Sequence, residues 1–294
     1  MQGRKLMRGC RPMAPHKYAA MPQYTRVLAP PAEFAAVPPK LDMWGNADYG
    51  DCVTAESAFA KAAYSIALGL AEEFVEPEEV IRWARAHGFL NGADLGEVND
   101  ALQIDGFRIA SGFGTEGPAM TVDYTSIPDL QSAIAQGPVK IAIDADALPS
   151  GAGNQSGWYA LQHGNWRNTD HCVGLSGFGS AAFLYDALKV PLPAKVSAQT
   201  PGFLLFTWDT LGFVTHAWLT GTCVQALWRK PTTPGLSPGP PPPPSAATIT
   251  LSQDLVAGVY TIGKPPGLGL TPEQWQQLIQ LVLALLMQFL QKKS

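Results

Sequence analysis

The sequence predicts an α+β domain with a cleft between a helical half and an antiparallel β half, and three observations carry that prediction. Segments with helical apolar spacing come first, between residues 52 and 104. Segments with strand character come later, around 138–145, 171–178 and 203–208. A proline-rich break after Lys230 then ends the domain, because such a run can neither pair into a sheet nor continue a helix. Helices followed by strands suit two packed halves rather than alternating βαβ units.

Each element has a local cause. The alanine-rich run from Val53 to Tyr64 follows Asn46-Ala-Asp-Tyr-Gly-Asp-Cys52, so a helix begins at or near Cys52. Pro77-Glu-Glu-Val-Ile-Arg-Trp-Ala-Arg-Ala-His-Gly88 has proline and acids in a first turn and glycine at its end, which bounds a short helix. Leu95 to Ile104 reads as another. Asn168-Thr-Asp-His171-Cys-Val-Gly-Leu-Ser-Gly-Phe-Gly179 reads as an apolar strand that carries an imidazole at its start. The long stretch 180–202 invites a hairpin that could roof the cleft.

Cys52 and His171 form the candidate reactive pair. A thiol at a helix N-terminus meets unpaired N–H groups and the positive end of the helix dipole, which favours thiolate. A histidine distant in sequence but close in the fold can take the thiol proton and later return it to a leaving group. Cys52 read alone is also a small buried hydrophobe, and Asn46 is also a good turn residue. Cys172, next along the strand from His171, faces the other way and reads as structural. His16, His87, His163 and His216 read as surface or satisfied core histidines.

These segments resemble the papain-like cysteine peptidases over roughly residues 40–228. Asn46, six residues before Cys52, stands in the place of the family's oxyanion-hole glutamine, and Gly50 matches its glycine. Asp129-Leu-Gln-Ser-Ala-Ile-Ala-Gln-Gly-Pro-Val-Lys-Ile-Ala-Ile-Asp-Ala145 is similar to the family's short helix, Gly-Pro-Val turn and strand. Ser156-Gly-Trp-Tyr159 is similar to the segment before its histidine, and Asp170-His171 to the histidine strand. The resemblance implies a two-lobed fold and a cysteine-dependent peptidase. In it Cys52 attacks an amide, His171 carries the proton, and Asn46 with the Cys52 N–H holds the oxyanion.

Departures from the pattern are specific. Asn46 is about one methylene shorter than the glutamine. Phe206 stands where the family has the asparagine that orients its histidine, if Trp208 is the family's tryptophan; Asp209 is then a candidate orienting carboxylate. Trp208 itself reads as a packing wall. Tyr49 replaces a cysteine, so the family's nearby disulfide cannot form, which suits a reducing compartment. Phe206 also leaves open a second reading, a scaffold with weak or lost chemistry that serves as a structural or binding subunit. Acyl transfer to an amine would use the same groups as hydrolysis.

Composition narrows the remaining classes. With 20 Lys and Arg against 24 Asp and Glu, and no basic stripe interleaved with aromatics, a nucleic-acid partner is not expected. Four scattered cysteines fit neither a disulfide scaffold nor a zinc cluster, so no metal and no cofactor is expected. Residues 1–39 read as an extended Pro- and Ala-rich arm with no secretory signal and no charged helical pattern of a pro-segment, so a cytoplasmic location is favoured and zymogen control is not expected. Residues 40–230 form the predicted hydrolase domain and 231–246 a stiff linker. Residues 247–294 read as a β-hairpin plus an amphipathic helix, too short in its apolar run to span a bilayer and suited to self-association as a homo-oligomer.

Overall fold

The computed structural model describes residues 6–26, 29–67, 73–110, 112–162 and 168–232. The expected C-terminal hairpin and helix, and the linker beyond Thr232, lie outside the described residues. The helices are α1 (Pro15–Ala20), α2 (Cys52–Ala67), α3 (Pro77–His87), α4 (Leu95–Ile104), α5 (Ile127–Gln136), α6 (Ala181–Ala187) and α7 (His216–Thr222). The strands are β1 (Cys10–Arg11), β2 (Phe34–Ala35), β3 (Ala93–Asp94), β4 (Phe107–Ile109), β5 (Gly112–Gly114) and β6 (Ala119–Thr121). They continue with β7 (Val139–Ile143), β8 (Trp158–Ala160), β9 (His171–Ser180), β10 (Pro201–Thr207), β11 (Thr210–Val214) and β12 (Cys223–Arg229).

The main sheet runs β6-β12-β7-β9-β10-β11-β8, with β2 added to β9. Its pairings are antiparallel except β11 with β8. Strand β9 is its centre and is buried from His171 to Gly179, which explains an apolar run with little alternation. On one side α2 packs against the sheet through Phe59, Cys172, Phe206 and Leu227. On the other, Leu130, Ile134, Ile141, Val173 and Trp218 form a second core.

Helix α2 is buried along nearly its whole length. Small alanines let it approach neighbours closely on all sides, and Gly174 of β9 is one consequence, since a Cβ there would lie 2.8 Å from Glu56 Oε1. Helix α3 begins with Pro77 and ends on Gly88 at φ 77°, as its sequence predicts. Helix α4 is closed by a capping box between Asp94 and Glu97. No helix among the described residues is long and apolar enough to cross a membrane.

Charged groups are buried between α2 and the sheet. Glu56 accepts from Arg229 at 2.7 Å and lies 3.4 Å from the Lys140 ammonium, while Arg229 also reaches Glu116 at 3.0 Å. Ser57 Oγ receives Lys140 at 2.7 Å and Arg229 at 3.1 Å. These four charges join the helix that carries Cys52 to β7 and β12.

Two expectations are corrected here. The 180–202 stretch begins with helix α6 rather than a hairpin: Ser180 Oγ accepts from the Phe183 N–H, and Ala181, Leu184 and Tyr185 pack under Leu204 and Phe213. The N-terminal arm is not confined to an extended path over the surface. It contains α1, buries Cys10, Met13, Tyr24 and Ala36, and supplies β2 to the main sheet. Apolar residues spaced among its prolines allow this, because each turn of the arm brings one of them against the core.

Candidate active site

Cys52 opens α2, as the sequence predicts, and His171 opens β9. Among the groups acting on the Cys52 thiol are the backbone N–H groups of Cys172, Gly9 and Cys10. The thiol therefore lies beside the backbone of Cys172, the residue that follows His171 in β9. His171 Nε2 is 2.8 Å from Thr207 Oγ1, and Nδ1 has no hydrogen-bond partner. The tautomer that donates from Nε2 to Thr207 leaves a lone pair on Nδ1, the nitrogen available to take a proton.

The hydrogen bond on Nε2 comes from Thr207, and neither it nor the unpartnered Nδ1 involves the Asp209 carboxylate that the sequence offered as an orienting group. Phe206, in the asparagine's place, turns to the other face of β10, where it stacks on Phe59 with ring centroids 4.0 Å apart and meets Trp44 edge-on. Side chains alternate along a strand, so once Phe206 belongs to the α2 core its neighbour must face the histidine. That alternation was the available signal for Thr207. Trp208 stacks on the imidazole at 4.6 Å and forms a wall of the site.

Asn46 is buried in the turn before α2. In the amide orientation that matches donors with acceptors, its Nδ2 donates to Tyr49 O and to Met7 O, each at 3.1 Å. It therefore serves the turn, and the same amide holds the Met7 carbonyl.

What lies in the cleft is the chain's own residues 7–13. Met7 O accepts from Trp208 Nε1 at 3.1 Å as well as from Asn46. Gly9 and Cys10 donate to Asp170 O, both at 3.0 Å, and Gly9 O accepts from the Ala93 N–H at 3.0 Å. Strand β1 then runs parallel to β3, and the Gln225 side chain clasps the Met13 backbone, accepting from its N–H at 2.9 Å and donating to its carbonyl at 3.0 Å. The thiol faces N–H groups of this segment, while the carbonyl held by Asn46 belongs to Met7.

Burial reverses the predicted ionisation. Cys52 is 1% exposed and His171 0%, so neither charge is hydrated. Loss of water pushes the thiol up to about 12 despite the N–H groups around it, with the nearby Asp51 adding to the rise. It pushes the imidazole down to about 3, and the Arg8 guanidinium contributes in the same direction. The helix dipole favours thiolate by about 1 kcal/mol, which full desolvation of a charge outweighs. With the cleft filled, the pair is neutral.

Asp51 adds a second buried carboxyl. It is 1% exposed, neither oxygen has a hydrogen-bond partner, and burial raises it to about 8. The folded state therefore holds a proton that the unfolded chain releases above the ordinary carboxylate range. Its contribution to stability is present below about pH 4 and is lost as pH rises toward 8. Asp51→Asn should stabilise the chain by about 1–3 kcal/mol at pH 8 and leave it unchanged at pH 4, read by urea unfolding at both values.

No protein-family model and no curated protein matches the sequence. Among solved structures, the chain is similar to xylellain, a cysteine protease from Xylella fastidiosa, with a TM-score of 0.53 and 14% identity over 79% of this chain and 99% of that one. The fold is that of the papain-like cysteine proteases. The structure described for the mite allergens Blo t 1 and Der p 1 is also similar, with a TM-score of 0.50 and 12% identity over 73% of this chain and 76% of that one. In this papain-like domain His16 is exposed, and His87 and His216 have ordinary partners. His87 stacks on Trp83 and lies 3.1 Å from an Asp105 oxygen, and His216 Nε2 is 3.1 Å from Tyr124 O. His163 lies outside the described residues.

Proposed function

We propose that this chain is a cysteine peptidase whose cleft must be vacated by its own residues 7–13 before it acts. The observation that supports this best is the imidazole of His171. It is fixed through Nε2 by Thr207 and walled by Trp208, with Nδ1 left free beside the residue next to which Cys52 lies. With the cleft open to water, His171 Nδ1 takes the thiol proton and Cys52 Sγ bonds to the carbonyl carbon of a peptide. Asn46 Nδ2 and the Cys52 N–H stabilise the oxyanion. The C–N bond breaks as the leaving amine takes the proton from His171, and a water then hydrolyses the thioester by the reverse proton path.

Incubating the full chain with unfolded casein, and with a Cys52→Ser variant as control, tests this by mass spectrometry of the products. Cleavage that depends on Cys52 supports the reading. Absence of cleavage from a chain whose Cys52 alkylates readily would leave the scaffold reading in its place.

Thr207→Val tests the orienting role. It keeps the shape of a fully buried side chain and removes the hydroxyl. The ring loses its fixed orientation and Nε2 is left buried and unpaired, at a cost of about 1–3 kcal/mol. The turnover number should fall about 10- to 100-fold with KM little changed, whereas Asp209→Asn should leave the histidine's orientation intact and alter turnover less than threefold.

A further inference from the structure

We infer that Asp146 and Asp170 form a cation subsite of the cleft that selects a basic side chain within two residues of the bond to be cut. This rests on the peptidase reading of the same site. The ligand chemistry is displayed by the chain itself. Arg8 lies between Met7, whose carbonyl meets Asn46 and Trp208, and Gly9, whose N–H faces Cys52. Its guanidinium reaches Asp146 Oδ1 at 2.7 Å through one terminal nitrogen and Asp170 Oδ2 at 2.8 Å through the other. A planar fork that spans two carboxylates in this way suits arginine better than lysine.

The Asp170 carboxylate and the Asp146 backbone are held independently of Arg8. Asp170 Oδ1 accepts from the Ala145 N–H at 2.9 Å, which aims Oδ2 toward the cleft. Asp146 sits in the short 3₁₀ turn Ala145–Ala147, and its own N–H is received by Asp144 Oδ1 at 3.0 Å. Asp144 is committed to that turn and to the Asn168 N–H at 3.0 Å, so it shapes the subsite without facing the guanidinium in these contacts. Asp170 is also the residue before His171, and its carbonyl binds the N–H groups of Gly9 and Cys10. One residue thus grips both the backbone and the side chain of whatever peptide lies there. When the arm leaves, two adjacent carboxylates lose their cation, and a substrate arginine restores it.

Two measurements test the subsite. In the first, the alkylation rate of Cys52 in the full chain is read by peptide mass spectrometry in Arg8→Gln, Asp146→Asn and the double variant. Each single change should raise the rate about threefold or more by loosening the arm, and the double variant should be no faster than the faster single. Asp146 is largely exposed, so its replacement does not threaten folding. In the second, peptides carrying arginine or its neutral isostere citrulline at the two positions on either side of the cleaved bond are compared. Arginine should be favoured at least tenfold in kcat/KM at one of these positions, and Asp146→Asn should bring the ratio near one. Additive effects in the double variant, or equal rates for arginine and citrulline in a chain that does cleave, would overturn the subsite and leave the peptidase reading standing. Coupling between Arg8 and Asp146 in a chain that cleaves nothing would show only that the ion pair holds the arm, and would overturn the substrate subsite together with the peptidase reading.

Discussion

Gly9→Val should unseat the N-terminal segment and raise the rate of Cys52 alkylation about 100-fold near pH 7. The reason is a close backbone approach: a Cβ added at Gly9 would lie 1.7 Å from Gly50 O, and neither partner is the end of a flexible side chain. Gly50 cannot retreat easily, since its own N–H donates to Leu90 O at 2.8 Å in the turn before α2. With residues 7–10 displaced, water reaches Cys52 and His171. The desolvation that holds the thiol near 12 and the imidazole near 3 is relieved, so both move toward their ordinary values. Access and thiolate fraction then increase together, and the residue at the helix N-terminus gains the acidity its position favours. Gly151→Ala is the control, because a Cβ there meets nothing within 4 Å. Equal rates in the two variants, with unfolding excluded by circular dichroism, would mean that the arm does not cover the thiol. If the peptidase reading holds, Gly9→Val should also cleave casein faster than the unaltered chain.

The helices beginning at Cys52, Pro77 and Leu95 and the strands near 138, 171 and 203 were legible because each has a local cause, a periodic apolar face or a marked terminus. The positions of Cys52, His171 and Asn46 followed from those elements. Their electrostatics did not. A helix N-terminus argues for thiolate only while water can reach it, and nothing local reveals that residues 7–10, more than forty positions earlier in the chain, lie against Cys52. The prolines of the arm signal extension correctly for short stretches, yet the Gly9 contact with Gly50 is purely tertiary. Asp209 drew attention as the nearby carboxylate after Trp208, whereas strand alternation, applied from Phe206, assigns the histidine to Thr207. Helix α6 escaped notice because it occupies only seven positions after its Ser180 cap, between Gly- and Pro-rich neighbours.

Glu56→Ala should be the most destabilising single change in the domain, by about 3–5 kcal/mol. It removes the carboxylate shared by Lys140 and Arg229, whose side chains are 0% and 1% exposed. Lys140 would keep only the Val53 carbonyl at 3.1 Å and Ser57 Oγ, and Arg229 only Glu116 and Ser57. Two cations would then share one anion in a space closed to water. A loss of this size is a large part of the total stability of a single domain. Glu56→Gln separates charge from shape: it preserves the volume beside Gly174 and should recover less than half of the loss, since the amide cannot balance either cation. The same network sets part of the acid response. Burial pushes the Glu116 carboxyl up, but the charges of Arg229, Lys140 and Lys61 outweigh it and hold the group below its usual range. Its stabilisation is therefore present above the ordinary carboxylate range and is lost as pH falls through the lowered value. His171 adds to this at higher pH, because the unfolded chain gains a proton on its imidazole below about 6.5 while the folded one stays neutral down to about 3. Between about pH 6.5 and 4 this loss runs against the gain from the Asp51 carboxyl, so urea unfolding should show stability falling from about pH 6.5 downward in Asp51→Asn and a nearly flat profile there in the unaltered chain. A Glu56→Ala chain as stable as the unaltered one would mean that the buried charges do not tie α2 to the sheet.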